Sequence, residues 1–448
     1  MVPRVDRTVV RELRHRVVEA LAERLNTEPG LGAAERKELG RALVADALGE
    51  TARERAAAGL PPRTEAEEHA LAEAVMAEVF GLGRLQPLVD DPDVENIEVN
   101  GCDRVWVSYA DGREVPGPPV ADSDAELIEQ LQLLAARLET SERSFSSTTP
   151  VLHAALSDGS RLAAVAWTTP RPHVVIRRHR IRDVDLDGLV ALGTLDPALA
   201  AFLRAALRAG RNIVVTGLQN VGKTTLLRAL AGEFGPRERF GTIEREYELF
   251  LHAMPDRHPR VVALQAREGS TERDATGRRA GEVTMGDLVR DALRMTLRRI
   301  VLGEVRGSEV LPMLEAMTTG DGSMCTLHAR SAAKAVDRLV SLCLSAGVGM
   351  TETFAYRLIA DAVDLIVHLD LREGAAGGRE RIVSQVLELD GVGESSRPVV
   401  THVFVPGPDG RAVPAHRPAC LEDLVRAGFD PALLEARPHP VTGTGGRR

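Results

Sequence analysis

The stretch Gly217-Leu218-Gln219-Asn220-Val221-Gly222-Lys223-Thr224-Thr225 constrains this chain more than any other segment. It fits the pattern of a Gly, an intervening tetrapeptide and Gly-Lys-Thr, and its flanks fit too. Asn212 to Thr216 is a short β-rich run, and Thr224 to Gly232 has helical character. A strand, a Gly-bounded loop and a helix in that order turn backbone N–H groups inward around an anion, with the helix dipole aimed at the same place. Lys223 then reaches the β- and γ-phosphates of a nucleotide, and the Thr224 hydroxyl ligates Mg²⁺. Gly217, Asn220, Val221, Gly222, Lys223, Thr224 and Thr225 are therefore the expected binding residues, with ATP and Mg²⁺ the expected cofactors. Asn220 stands where a Gly is often found, but Asn is the non-Gly residue that best tolerates positive φ, so the loop is expected to close.

A phosphate loop of this kind needs a sheet to stand on. Buried-strand candidates follow at Phe240 to Ile243, Val261 to Ala263, Ile300 to Gly303 and Met324 to Leu327, with helical segments between them. That alternation predicts an α/β fold with a mainly parallel sheet covered on both faces. Upstream, Val9, Leu13, Val17, Val18, Leu21 and Leu25 make one helical stripe, and residues 64 to 80 repeat the pattern with Ala and Leu. The chain thus reads as an N-terminal helical region (1–85), a small α/β domain (86–185), a nucleotide-binding domain (186–370) and a C-terminal β/α extension (371–448). In the small domain, strands at Glu95 to Val99 and Arg104 to Val107 flank a turn at Asn100-Gly101, a helix runs from Ala125 to Arg137, and strands follow at Leu162 to Trp167 and His173 to Arg178. Further strands are expected at Asp364 to Asp370, Ile382 to Leu389 and Val399 to Val405, then a helix at Leu421 to Ala427 and a disordered polar end at 441–448.

A net charge of -9 argues against a broad basic surface, so no stable nucleic-acid partner is expected. Cys102, Cys325, Cys343 and Cys420 are scattered without C-x-x-C spacing, which signals neither a disulfide framework nor a zinc site. No apolar run approaches the roughly 18 residues needed to cross a bilayer. The expected place is the cytoplasm, with peripheral attachment to the membrane.

Hydrolysis needs more than a phosphate loop. A carboxylate must stand at the end of a neighbouring strand to position water. Arg299 to Glu304, RIVLGE, ends in such a carboxylate. Glu304 is better cast as base or water-orienting residue than as direct metal ligand, and Arg306 would serve equally as its plain salt-bridge partner. Glu244, Glu246 and Glu248 follow another strand, where side chains reach the ligand crevice of an open α/β sheet, and Glu244 and Glu248 are the candidates for contacts to the water shell of Mg²⁺. Turn-rich Thr318 to Ser323 precedes a strand that delivers His328 to a third strand end, where it would sense the γ-phosphate. Read from spacing alone, the acids also suit a solvated surface and His328 a structural role.

These residues lie in longer blocks: GRLQPLVDDPDVENIEVNG (83–101), SDGSRLAAVA (157–166), VVIRRH (174–179), TIEREYEL (242–249), GEVTMGDLVRDALRM (281–295), RIVLGEVRG (299–307) and GSMCTLHA (322–329). Together with the phosphate loop they resemble the CpaF/TadA-type ATPases of the type II/IV secretion superfamily, which drive Flp-pilus assembly and related export. The resemblance spans about residues 80 to 370. It implies a RecA-like ATPase domain preceded by a small PAS-like domain, a homo-hexameric ring, and force passed to a membrane platform protein. TIEREYEL resembles the family's acidic box, RIVLGEVR its atypical Walker B with the catalytic glutamate, and GSMCTLHA its His box. In the same scheme Arg161 and Arg177 look like the arginines that close over the γ-phosphate. Two departures stand out: Arg245 replaces the Asp of the usual T-I-E-D, and Gly320 is followed by Asp321 in place of a His. They predict slower turnover with binding retained, and leave a non-hydrolysing assembly factor and a conjugation-type motor as alternative readings.

Overall fold

The computed structural model describes residues 5–27, 30–109, 111–137, 145–156, 158–178, 184–267, 269, 272–273, 275, 277–347, 349–373, 379–393 and 396–435. The polar end at 441–448 lies outside the described residues. The chain divides into two compact units, Met1–Arg180 and Ile181–Arg448. Cys102, Cys325, Cys343 and Cys420 all carry free thiols. Among the described residues no helix is long and apolar enough to cross a membrane.

In the first unit, helices Arg7–Thr27, Ala33–Ala57 and Glu65–Phe80 pack together. Spacings of three and four residues put Val10, Leu13 and Val17 on one inner stripe and Leu71, Val75 and Val79 on another, and these meet Val44 and Ala47. The third helix begins with a capping box in which Thr64 and Glu67 satisfy each other's backbone N–H.

The chain then forms an antiparallel sheet in the order β3-β2-β1-β6-β5-β4. Its strands are β1 (Val94–Asn100), β2 (Val105–Tyr109), β3 (Glu114–Gly117), β4 (Val151–Ala155), β5 (Arg161–Val165) and β6 (His173–Arg177). The turn between β1 and β2 falls at Asn100-Gly101 as expected: Gly101 has φ 75°, and Asn100 N–H donates to the Arg104 carbonyl at 2.8 Å. Alternation along the strands buries Leu162, Ala164, Val174 and Ile176 against Leu127 and Leu131 of the helix Asp124–Arg137. Arg161 and Arg177 fall on the opposite face, directly across from each other on β5 and β6.

The second unit is built on one mixed sheet, ordered β15-β14-β13-β12-β7-β11-β10-β8-β9. The strands are β7 (Ile213–Gly217), β8 (Phe240–Glu244), β9 (Val262–Gln265), β10 (Arg299–Val305), β11 (Met324–His328), β12 (Leu365–Glu373), β13 (Arg379–Val392), β14 (Pro398–Pro406) and β15 (Ala412–Pro414). From β12 to β9 every neighbouring pair is parallel. Both faces are covered: Ile213 and Val215 pack with Leu203 and Leu227 on one side, while Val214 packs with Met313, Leu339 and Ile359 on the other. The near-continuous burial of β7 and β8 follows from this double cover. Beyond residue 370, the chain set apart above as an extension adds β13, β14 and β15 antiparallel to this same sheet. Val383, Phe404 and Phe429 enter the same core as the phosphate-loop strand, because an apolar hairpin gains more by burial there than by standing apart.

Candidate active site

Parallel strands carry their carboxyl ends to one edge, which is where an open α/β sheet forms its ligand crevice. In register, Gly217 of β7 lies between His328 of β11 and Leu369 of β12. The loop that leaves Gly217 takes the backbone shape its residues permit. Gly217 has φ 149° and Gly222 φ 93°, and Asn220 has the left-handed value of 65°. The sequence expectation for Asn220 agrees with that geometry. A Cβ on Gly217 would come within 2.5 Å of the Leu369 carbonyl oxygen and 2.7 Å of Val221 Cγ2, so only glycine fits.

Gly222 is the cap of the helix Lys223–Ala231, whose first N–H groups face the loop. Val221 is buried beneath the loop, and Thr225 is half-buried on the first turn of the helix. Lys223 is 7% exposed, and its Nζ donates to the Leu218 carbonyl at 2.7 Å. The same Nζ lies 3.2 Å from His328 Nδ1. His328 Nε2 in turn lies 2.9 Å from Glu304 Oε1, and Arg306 holds the other carboxylate oxygen at 2.5 Å. Burial alone would raise the pKa of Glu304, but hydrogen bonds from His328 and Arg306 prevail and hold it at about 2. Glu304 is therefore a carboxylate at any physiological pH.

The acidic cluster divides into two roles. Thr224 Oγ1 donates to Glu248 Oε2 at 3.1 Å, placing one carboxylate against the loop's hydroxyl. Glu244 turns inward, only 2% exposed, and its Oε1 accepts the backbone N–H groups of Glu248 and Leu249, both at 2.9 Å. It braces the turn that carries Glu248, whereas its sequence position suggested a place in the open crevice. Arg245 is exposed to solvent. The other departure, Asp321, is remote from His328: it precedes β11, at the end where strands begin, and pairs there with Arg298 at 2.9 Å.

Gly217, Lys223, Thr224, Glu244, Glu248, Glu304 and His328 are thus gathered at one sheet edge. Arg161 and Arg177 belong to the other compact unit, as neighbours on its open sheet face. Two further contacts, one to the strand that leads into the loop and one to the loop itself, carry no local sequence signal. His368, 2% exposed on β12, shares a hydrogen bond with Thr216 Oγ1 at 2.8 Å through Nδ1. Burial lowers its pKa, against the opposing pull of Asp370. Arg381 of β13 donates from Nε to the Asn220 carbonyl at 3.1 Å.

The residues fit a phosphate and its metal. A glycine-lined loop with a buried lysine and a helix start suits the anion. A hydroxyl beside one carboxylate suits Mg²⁺, which keeps most of its waters and takes further ligands from substrate phosphates.

The chain is similar to several known proteins. The family model described as "Type II/IV secretion system protein" matches residues 117–386. A putative conjugal transfer protein of Mycobacterium tuberculosis is 33% identical over 319 residues, covering 69% of this chain and 84% of its own length. The type IV secretion system protein PtlH of Bordetella pertussis is 32% identical over 331 residues, covering 68% of this chain and 93% of itself. The solved VirB11 ATPase of the Brucella suis type IV secretion system shares 28% identity and covers 68% of this chain and 93% of its own, with a TM-score of 0.35. On the matched segment and these sequence relatives, the chain belongs to the type II/IV secretion system ATPase superfamily.

Proposed function

We propose that this chain is an ATP-hydrolysing motor of the CpaF/TadA type, coupling hydrolysis to pilin or protein export through a membrane platform protein. The observation that carries this reading is the row of close polar contacts Lys223–His328–Glu304–Arg306 beside the hydrogen-bonded Thr224–Glu248 pair. A nucleotide switch needs only the loop. A hydrolase needs an ionised carboxylate held at the neighbouring strand end, and Glu304 is one.

In this reading Lys223 exchanges the Leu218 carbonyl for the β/γ-phosphates, and the loop N–H groups and helix start take the remaining charge. Mg²⁺, held through the Thr224 hydroxyl and by Glu248 through water, would neutralise charge on the phosphates. Glu304 orients the attacking water, and its low pKa suits it to hold and aim that water more than to keep a proton. His328 bridges Lys223 and Glu304, a position from which a γ-phosphate would be sensed. Glu244 positions Glu248. By the family resemblance Arg161 and Arg177 of the small PAS-like domain would neutralise further charge on the γ-phosphate, and a homo-hexameric ring would convert turnover into work.

Flp-type export and a membrane platform partner are supported by the resemblance of the motif blocks, and a general secretion role by the names of the relatives. The conjugal-transfer relative favours a second reading, a motor that serves DNA export, and stimulation of turnover by DNA would establish it. The direct test of the first is Lys223→Ala. Purified variant should lose ATPase activity and export, and a fully active variant would sink the proposal.

A further inference from the structure

We infer that Arg381, on the C-terminal hairpin of the sheet, is a positioning residue of the phosphate loop and sets its affinity for nucleotide. The inference rests on the nucleotide-binding reading and extends it to a part of the chain that carries no phosphate-binding motif.

The loop depends on two left-handed residues, Asn220 at φ 65° and Gly222 at φ 93°. Gly222 adopts its conformation freely, and Asn220 tolerates the left-handed shape but, like any residue with a Cβ, also populates right-handed ones, so neither residue alone fixes the loop. Arg381 bonds to the first and lies beside the second. Its Nε donates to the Asn220 carbonyl at 3.1 Å, and its Cδ lies 3.4 Å from where a Cβ on Gly222 would be. A peptide unit is planar and trans, so its C=O and the following N–H point in opposite directions. Fixing the Asn220 carbonyl toward β13 therefore points the Val221 N–H away from β13. A charge-assisted bond from a guanidinium suits this task, being stronger and more directional than a neutral one.

The hairpin that carries Arg381 is anchored to the loop's own strand. Leu369 of β12 pairs with Gly217 of β7, and Arg381 of β13 pairs with Leu371 two residues further along β12. Glu380, the preceding residue, is held by Arg372 at 2.6 Å and Arg411 at 3.1 Å, which fixes the strand on its other side. Movement of β13 would thus reach the phosphate loop through Arg381.

The test is calorimetric titration of the full chain with Mg-ADP, beside its nucleotide-free thermal unfolding midpoint. Arg381→Ala should weaken ADP binding roughly three- to tenfold, with the midpoint unchanged, and Arg381→Lys should restore much of the affinity. Arg379→Ala removes the same charge from an exposed site on the same strand and should bind as wild type. Wild-type affinity in Arg381→Ala, equal weakening in Arg379→Ala, or a fall in midpoint that Lys does not rescue would each overturn the inference. Failure of the wild-type chain to bind ADP would overturn the nucleotide reading first, and this inference with it.

Discussion

The paired strands β10 and β11 have polar and charged groups gathered near each of their two ends, and the two ends behave differently. Where the strands begin, Arg299 is 3% exposed, ion-paired with Glu238, and stacked over the Phe234 ring at 4.4 Å. Nearby, Asn212 donates to the Met317 and Ala362 carbonyls at 2.7 and 2.9 Å and accepts the Ser323 N–H at 2.8 Å. These polar groups face other groups of the protein, so this end is a latch. Where the strands finish, His328 keeps 39% and Glu304 22% of side-chain exposure while both are tied to one another. Ion pairs alone do not mark a site; short, partly exposed ones beside a glycine loop do.

That contrast can be broken by substitution. Arg299→Ala should have the largest effect, because it leaves Glu238 with only the exposed Arg298 at 3.5 Å as a partner and empties the space over Phe234: about 3 kcal/mol of stability lost in urea unfolding, with nucleotide affinity of the remaining folded protein little changed. A loss of affinity without loss of stability would put function at the latch end. Asp321→Ala removes only an exposed partner of Arg298 and should cost under about 1 kcal/mol, leaving turnover as it was. A severalfold change in turnover would show that Asp321 reaches the chemistry from the far end.

What was legible from sequence follows the range over which each feature is decided. The phosphate loop is decided by adjacent residues, and Asn220 takes its positive φ for a reason visible in its own chemistry. Glu304 and His328 were placed at strand ends because parallel strands finish together, a rule that needs only their order. Asp321 was misleading for a local reason: it stands close to His328 in sequence, but an intervening strand extends the chain by roughly 3.3 Å per residue. Glu244 was legible as a strand-end acid but not as a brace, since its inward turn depends on where the Glu248 and Leu249 N–H groups lie. Arg381 and His368 could not be found at all. They meet the loop across sequence separations of 161 and 152 residues, and that contact exists only because β12 pairs with β7.

The central claim is that Glu304 does chemistry at the crevice end, separately from binding. Steady-state ATP hydrolysis and Mg-ADP affinity of Glu304→Gln, measured on one preparation, test it most directly. The account predicts affinity within a few-fold of wild type and turnover reduced by about 100-fold or more. Turnover close to wild type would contradict it.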